Sequence, residues 1–315
     1  MKIKHYTLPE HALSGQRQLS HFHFGAPGTG EKVYLQAGLH ADEIPGMLVL
    51  HYLKRLLSQA ERRGELRDEI ILVPVANPPG LAQVLLSSGI GRFDLASGRN
   101  FNRDFPDLAA LAQAGLPADL PGTRPEYLQR VRAAMREALA ALPAVSEAQA
   151  LRHHLLSLAC DADLVLDLHC DDQAILHLYA DPAWQREAKV LAAFLGIGAV
   201  LLSQESGGNS FDEACGLPWQ RLCARNPSWR QQQPGCMAVT VELRGQRLVR
   251  GEDQRRALRL LDHLGHGVGL ARAGHAEQGL VRQTCLQAFH HLANGFGLVA
   301  GRGVAGGELE CGHGC

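Results

Sequence analysis

Three short apolar runs in this sequence each end in a side chain that can bind a cation or move a proton, and this repetition constrains the chain more than any other feature. Lys32 to Leu39 (KVYLQAGL) leads into His40, Asp163 to Leu168 into His169, and Met237 to Leu243 carries Glu242 near its end. Runs of this length bounded by turn residues read as buried strands. Between them lie stretches of helical apolar spacing: Pro45 to Arg63 with Pro in a first-turn position, about Pro125 to Cys160 as two helices, about Pro182 to Leu195, and about Glu252 to Leu264. Further strands are expected at Glu69 to Val75, Ala174 to Tyr179 and Ala199 to Leu202, with a Gly-rich loop before Met237. Alternating strands and helices predict an α/β fold: a mixed, largely parallel sheet with helices on both faces. In an open sheet of this kind the functional crevice lies outside the carboxyl ends of the strands, where His40 and His169 fall.

His40 and Glu43 stand three apart at a strand-to-helix junction, a spacing that can aim an imidazole and a carboxylate at one point. Both are zinc ligand types. The alternative is a polar strand end beside a carboxylate that only favours the helix N-terminus through its dipole. With His169 as a distant third ligand, the set leaves a fourth zinc position open to water, as in catalytic sites. Asp167, two residues earlier, shares the His169 face and is either an orienting partner or a solvated strand residue. Cys170 follows His169 directly and so should face away from it, as a structural residue. Glu242 is either a general base and acid or one half of an outward Glu242–Arg244 pair. The loop from Gly91 to Pro106 holds Arg92, Arg99 and Arg103 beside Asn100 and Asn102. It offers carboxylate clamps and an oxyanion donor, or else only solvated surface charge.

In combination and in this order, G-x-H-x-x-E, N-R-x-F-P, D-L-H and V-E-L-R resemble the succinylglutamate desuccinylase and aspartoacylase family of zinc carboxypeptidase-like deacylases, over roughly residues 30 to 265. The resemblance implies a zinc carboxypeptidase-like fold with one Zn2+ per chain held by His40, Glu43 and His169. It further implies Glu242 as general base and acid, Arg92 polarising the scissile carbonyl, and Asn102 with Arg103 holding a substrate carboxylate. The reaction implied is hydrolysis of an amide bond in a small N-acyl amino acid or related acylated amine. A metallocarboxypeptidase on short peptides, ester hydrolysis, and a non-catalytic small-molecule or zinc-binding module are the alternatives. Some relatives carry Asp where Asn100 stands and many carry Gly where Asp107 stands. Members commonly end in a β-rich domain, whereas residues after about Gly267 show no strand alternation. Residues 1–267 are therefore expected to form the catalytic domain and 268–315 a short irregular appendage. Gly301, Gly303 and Gly306 meet a G-x-G-x-x-G spacing there, but without a preceding strand they read as a loop-rich tail. Tyr179 and the segment Gly207 to Phe211 are candidate pocket residues.

The 31 Lys and Arg offset the 32 Asp and Glu to a net charge of −1, so no global field attracts nucleic acid or an anionic membrane. Anion recognition has to be local, and the three loop arginines imply a small anionic substrate. The 8 cysteines show no zinc-ribbon or disulfide-scaffold spacing and read as free thiols. The start MKIKHYTLPE is followed by no apolar signal region, and no apolar run reaches the ~18 residues of a membrane span. A cytoplasmic protein with no nucleic-acid or membrane partner is the expectation, and a homo-oligomer cannot be read from the sequence.

Overall fold

A strand stands at each sequence-predicted position, and all of them belong to one eight-stranded sheet. The computed structural model describes residues 1–9, 15–117, 123–225, 234–243, 245 and 259–260, all within the unit Met1–Leu270. In chain order the elements are β1 (Lys2–Thr7), β2 (Gln18–Phe24), β3 (Lys32–Ala37), α1 (Ile44–Arg62), β4 (Glu69–Val73), α2 (Pro78–Leu81), β5 (Val84–Leu85), β6 (Ser88–Gly89), α3 (Leu108–Ala112), α4 (Arg124–Ala140), α5 (Glu147–Ala159), β7 (Leu164–His169), β8 (Leu176–Ala180), α6 (Gln185–Leu195), β9 (Ala199–Leu202), α7 (Phe211–Arg225) and β10 (Met237–Leu243). The sheet order is β1-β2-β4-β3-β7-β10-β8-β9, and β5 and β6 form a separate small hairpin. β4, β3, β7 and β10 run parallel, β8 returns antiparallel beside β10, and the β1–β2 hairpin joins antiparallel at the other side. This is the mixed, largely parallel α/β sheet the strand and helix alternation predicts.

Every residue of β7 is buried, as required of a strand covered on both faces. On one side lies α1: a Cβ on Gly46 would stand 3.0 Å from the Ala37 Cβ and 3.1 Å from that of Leu168, so only Gly lets the helix start this close to β3 and β7. On the other side α3, α4, α5 and α7 share a core in which Tyr34, Val165, Phe211 and Trp219 are fully buried. Burying one such large side chain contributes roughly 1.5–3 kcal/mol, so this half of the core anchors α7 against β7 and β10. Register then sets the site: Gln36 lies beside Asp167, Asp167 beside Thr240, and His169 beside Glu242.

Four sequence readings need correction. The β1–β2 hairpin precedes the first expected strand; β1 is almost wholly exposed and so has no apolar face to read. β4 stops at Val73, because Pro74 cannot donate to the ladder. The segment after Asn77, where no helix is expected, starts as the short helix α2 with Asn77 as its cap. The Gly-rich loop expected before Met237 contains a full helix, α7, whose buried Phe211, Ala214, Cys215, Pro218, Trp219 and Leu222 follow helical spacing although Gly216 and Pro218 interrupt it. Of the helix expected near 252–264, only Arg259 and Leu260 are described; the appendage 268–315, its glycine motif and Arg244 lie outside the described residues. No described helix is long and apolar enough to cross a membrane.

Candidate active site

β3 and β7 end side by side, and the chain leaving β3 turns straight into α1, with Glu43 at the helix N-cap. The Glu43 side chain makes no capping bond and turns instead to the strand ends. His40 Nδ1 lies 2.8 Å from Glu43 Oε1, and His169 Nδ1 lies 2.9 Å from Glu43 Oε2. The three residues are buried, and their ligand atoms all lie within 4.8 Å of one another. The outer ring nitrogens are held in turn: His40 Nε2 stands 2.8 Å from Asn100 Oδ1, and His169 Nε2 stands 2.9 Å from Asp167 Oδ2. Asp167 is fully buried and its other oxygen accepts from Gln36 Nε2 at 3.0 Å, which makes it an orienting partner and not a solvated residue. Fixing each Nε2 in this way leaves both Nδ1 atoms facing one point beside a carboxylate. That donor set, two imidazole nitrogens and one carboxylate oxygen, fits a divalent transition metal.

Electrostatics tie the cluster together. Burial alone would raise the Glu43 pKa, but His169 and His40 at its two oxygens outweigh it and hold the carboxyl well below its usual range. The Cys170 backbone N–H adds a further bond to Glu43 Oε2 at 2.8 Å. The Cys170 thiol is pushed up to about 12, mainly by burial, and its sulfur is not part of the metal-ligand cluster, in line with a structural role.

Each remaining sequence-predicted residue has a definite place. A cavity of about 360 Å³ is bordered by His40, Glu43, Arg92, Asn102, Arg103, His169 and Glu242 together. Arg92 Nη1 is 3.4 Å from Glu43 Oε1, and its backbone is positioned by Gly91, where a Cβ would meet the Asp42 nitrogen at 2.5 Å. Asn102 Oδ1 accepts from the Phe211 N–H at the start of α7 at 2.8 Å, and its Nδ2 lies 3.5 Å from His169 Nε2. Arg103 Nη1 donates to the Asn102 carbonyl at 2.6 Å and packs on Gly208, whose φ of +82° and lack of Cβ make the room. Arg99 is not with them: it pairs with Asp104 at 2.7 Å, is 65% exposed, and does not border the cavity. Tyr179 and Ser210 do border it, whereas Gly208 and Asn209 hold the 104–105 backbone and Phe211 is in the core.

One Glu242 oxygen, Oε2, is buried with no hydrogen-bond partner among the described residues, an arrangement that costs stability and is kept where a carboxylate has work to do. Burial raises the Glu242 pKa; nearby His169 opposes the shift and Glu43 adds to it. Sequence reasoning missed Asn77, which donates to the Leu39 carbonyl at 2.8 Å and so secures the residue before His40. It also missed Asp212, a cavity-lining carboxyl whose pKa burial raises. The Asn-Pro-Pro-Gly turn was the available signal for Asn77, and the α7 period for Asp212.

The model of the succinylglutamate desuccinylase/aspartoacylase catalytic domain matches residues 29–120 and 127–266. The chain belongs to this family of deacylases. A family protein of known structure from Shewanella amazonensis SB2B is 30% identical over 84% of this chain and 72% of its own, with a TM-score of 0.71. One from Shewanella frigidimarina NCIMB 400, described as succinylglutamate desuccinylase/aspartoacylase, is 27% identical over 84% and 71%, with a TM-score of 0.73. A namesake from Rhodobacter sphaeroides, 19% identical over 84% and 65% with a TM-score of 0.51, shares the fold. No curated protein matches the chain. Membership makes the chain a hydrolase by family, with a His40–Glu43–His169 cluster suited to a metal.

Proposed function

We propose that the protein is a zinc-dependent amidohydrolase that removes the acyl group from a small N-acyl amino acid or related acylated amine. The observation that carries this reading is the convergence, in one cavity, of the His40–Glu43–His169 cluster with the partnerless carboxylate oxygen of Glu242. When bound by His40, Glu43 and His169, zinc supplies a Lewis acid and lowers the pKa of its water toward about 7. Glu242, on the strand beside His169, takes a proton from the attacking water and returns it to the departing nitrogen. Its raised pKa keeps it able to serve as the acid after it has served as the base. Arg92, next to Glu43, offsets charge that develops on the carbonyl oxygen. Asn102 and Arg103, which both border the cavity, grip the substrate carboxylate through amide and guanidinium N–H groups. A cytoplasmic setting is part of this reading, supported by the 5 described cysteines, which are buried free thiols.

The test is amine release from a panel of N-acetyl and N-succinyl amino acids by the zinc-loaded chain, with dipeptides and esters as competitors. Release that requires zinc and favours acylated amino acids is expected. Release from dipeptides alone would replace this reading with a carboxypeptidase, and binding without release would replace it with a non-catalytic module.

A further inference from the structure

The cavity extends well beyond the metal-ligand cluster. Ala238, Thr240 and Glu242 alternate along one face of β10 and, with Cys236 just before the strand, border the cavity, so it follows the strand for its length. Asp212, Gly216 and Gln220, one helical turn apart on α7, form the facing wall. The two ends differ in charge. Arg92 and Arg103 stand at the end that holds Glu43. At the other end Asp181 follows β8 and comes level with Ala238, because Ala180 pairs with Val239 in antiparallel register. Asp181 Oδ1 accepts the Ala183 N–H at 2.7 Å, and Oδ2 accepts from Gln220, which itself accepts from Gln204 at 2.7 Å. Trp184 borders the same end. Among the described residues no cation pairs with Asp181, so a carboxylate with roughly four acceptor sites has only neutral donors.

We propose that this end is a subsite for a cationic side chain, and that the substrate is an N-acylated basic amino acid. Its α-carboxylate meets Asn102 and Arg103, and its ammonium or guanidinium meets Asp181 beside Trp184. This deepens the deacylase reading and rests on it for the position of the scissile amide. Dimensions agree: Asp181 lies about four strand residues from Glu242, or about 13 Å. From the acyl carbon to the terminal nitrogen of an extended lysine is about 9 Å at ~1.3 Å per bond, and a hydrogen bond of about 2.8 Å closes most of the rest. The Trp184 ring adds an attraction for the cation. A glutamate side chain would instead set two carboxylates against each other, and norleucine would leave Asp181 unanswered.

The products allow a test that needs no turnover. Calorimetric titration of the zinc-loaded full chain with lysine, norleucine and glutamate should show lysine binding about tenfold or more tighter than norleucine, and glutamate weakest. Asp181→Asn keeps an acceptor for the Ala183 N–H but gives up the bond from Gln220, so a small drop in melting temperature is expected, while the lysine-to-norleucine ratio falls to near one. Should that variant fail to fold, the wild-type ratio decides alone. Equal binding of lysine and norleucine, tighter binding of glutamate, or no binding of any product overturns the subsite. Tight lysine binding with no amine release from any N-acyl substrate keeps the subsite and overturns the deacylase reading. Equal release from N-acetyl-lysine and N-acetylnorleucine does the reverse.

Discussion

His169 Nδ1 and Glu43 Oε2 stand 2.9 Å apart although 126 residues separate them in the chain. Parallel pairing of β3 with β7 makes this contact, and Asp167, on the same face of β7, closes the opposite side of the imidazole at 2.9 Å. The ring is therefore fixed at both nitrogens before any ion arrives, so the cost of ordering a ligand is met during folding.

A graded loss of metal follows from that arrangement. His169→Ala removes a ligand atom and should abolish stoichiometric zinc binding, read by metal analysis after gentle dialysis. Asp167→Asn keeps the shape but removes the charge behind the ring, and should weaken zinc by about 10- to 100-fold in chelator competition. Unchanged affinity in both variants would take His169 out of the metal site.

Glu242→Gln separates chemistry from assembly. The amide fills the same volume on β10 but cannot accept a proton, so turnover should fall by about 10²- to 10⁴-fold while zinc content and melting temperature hold. Normal turnover in this variant would remove Glu242 from the proton path.

The strand ends were legible because burial on both faces forces an apolar run, as in Leu164 to Leu166, and polar residues closing such a run, here Asp167 and His169, are conspicuous. The partners of those residues were not. Asn100 reaches His40 only through the course of the 90–107 loop, which has no period of its own. Arg92 and Arg103 were singled out from Arg99 only by the family resemblance; in the fold Gly91 and Gly208 leave room for the two that border the cavity, while Arg99 pairs with Asp104 at the surface. In α7, Gly216 and Pro218 hide a helical period that burial of Trp219 restores. Polar lining such as Asp181 and Gln220 belongs to two elements whose adjacency is purely tertiary.

Arg103 carries the prediction on carboxylate recognition. Arg103→Lys preserves charge but loses the planar fork, so KM for a carboxylate-bearing substrate should rise far more than for its carboxamide. The loss expected from one charge-assisted bond is about 1.5–3 kcal/mol. Gly208→Ala, which would place a Cβ 2.6 Å from the Arg103 Cδ, should raise KM in the same direction with zinc content unchanged. Wild-type activity that is equal on carboxylate and carboxamide would reduce Arg103 to a loop residue.

Acid stability should report on a second group of histidines, outside the metal-ligand cluster. His21 Nδ1 lies 2.8 Å from His23 Nε2, and His154 Nε2 lies 3.4 Å from His21 Nε2. Burial foremost, followed by neighbouring positive groups, lowers all three to about 4 from 6.5. Between those two values the unfolded chain binds protons that the folded chain refuses, so this contribution is complete above about pH 6.5 and is lost as pH falls toward 4. For His21, only 3% exposed, the effect amounts to about 2–3 kcal/mol, enough to lower the melting temperature by several degrees. Other groups titrate in the same range, so the comparison to make is wild type against His21→Gln in thermal melts from pH 7 to pH 4.5. The variant should start less stable and lose less on acidification; parallel curves for the two proteins would show that His21 is protonated as readily in the fold as outside it.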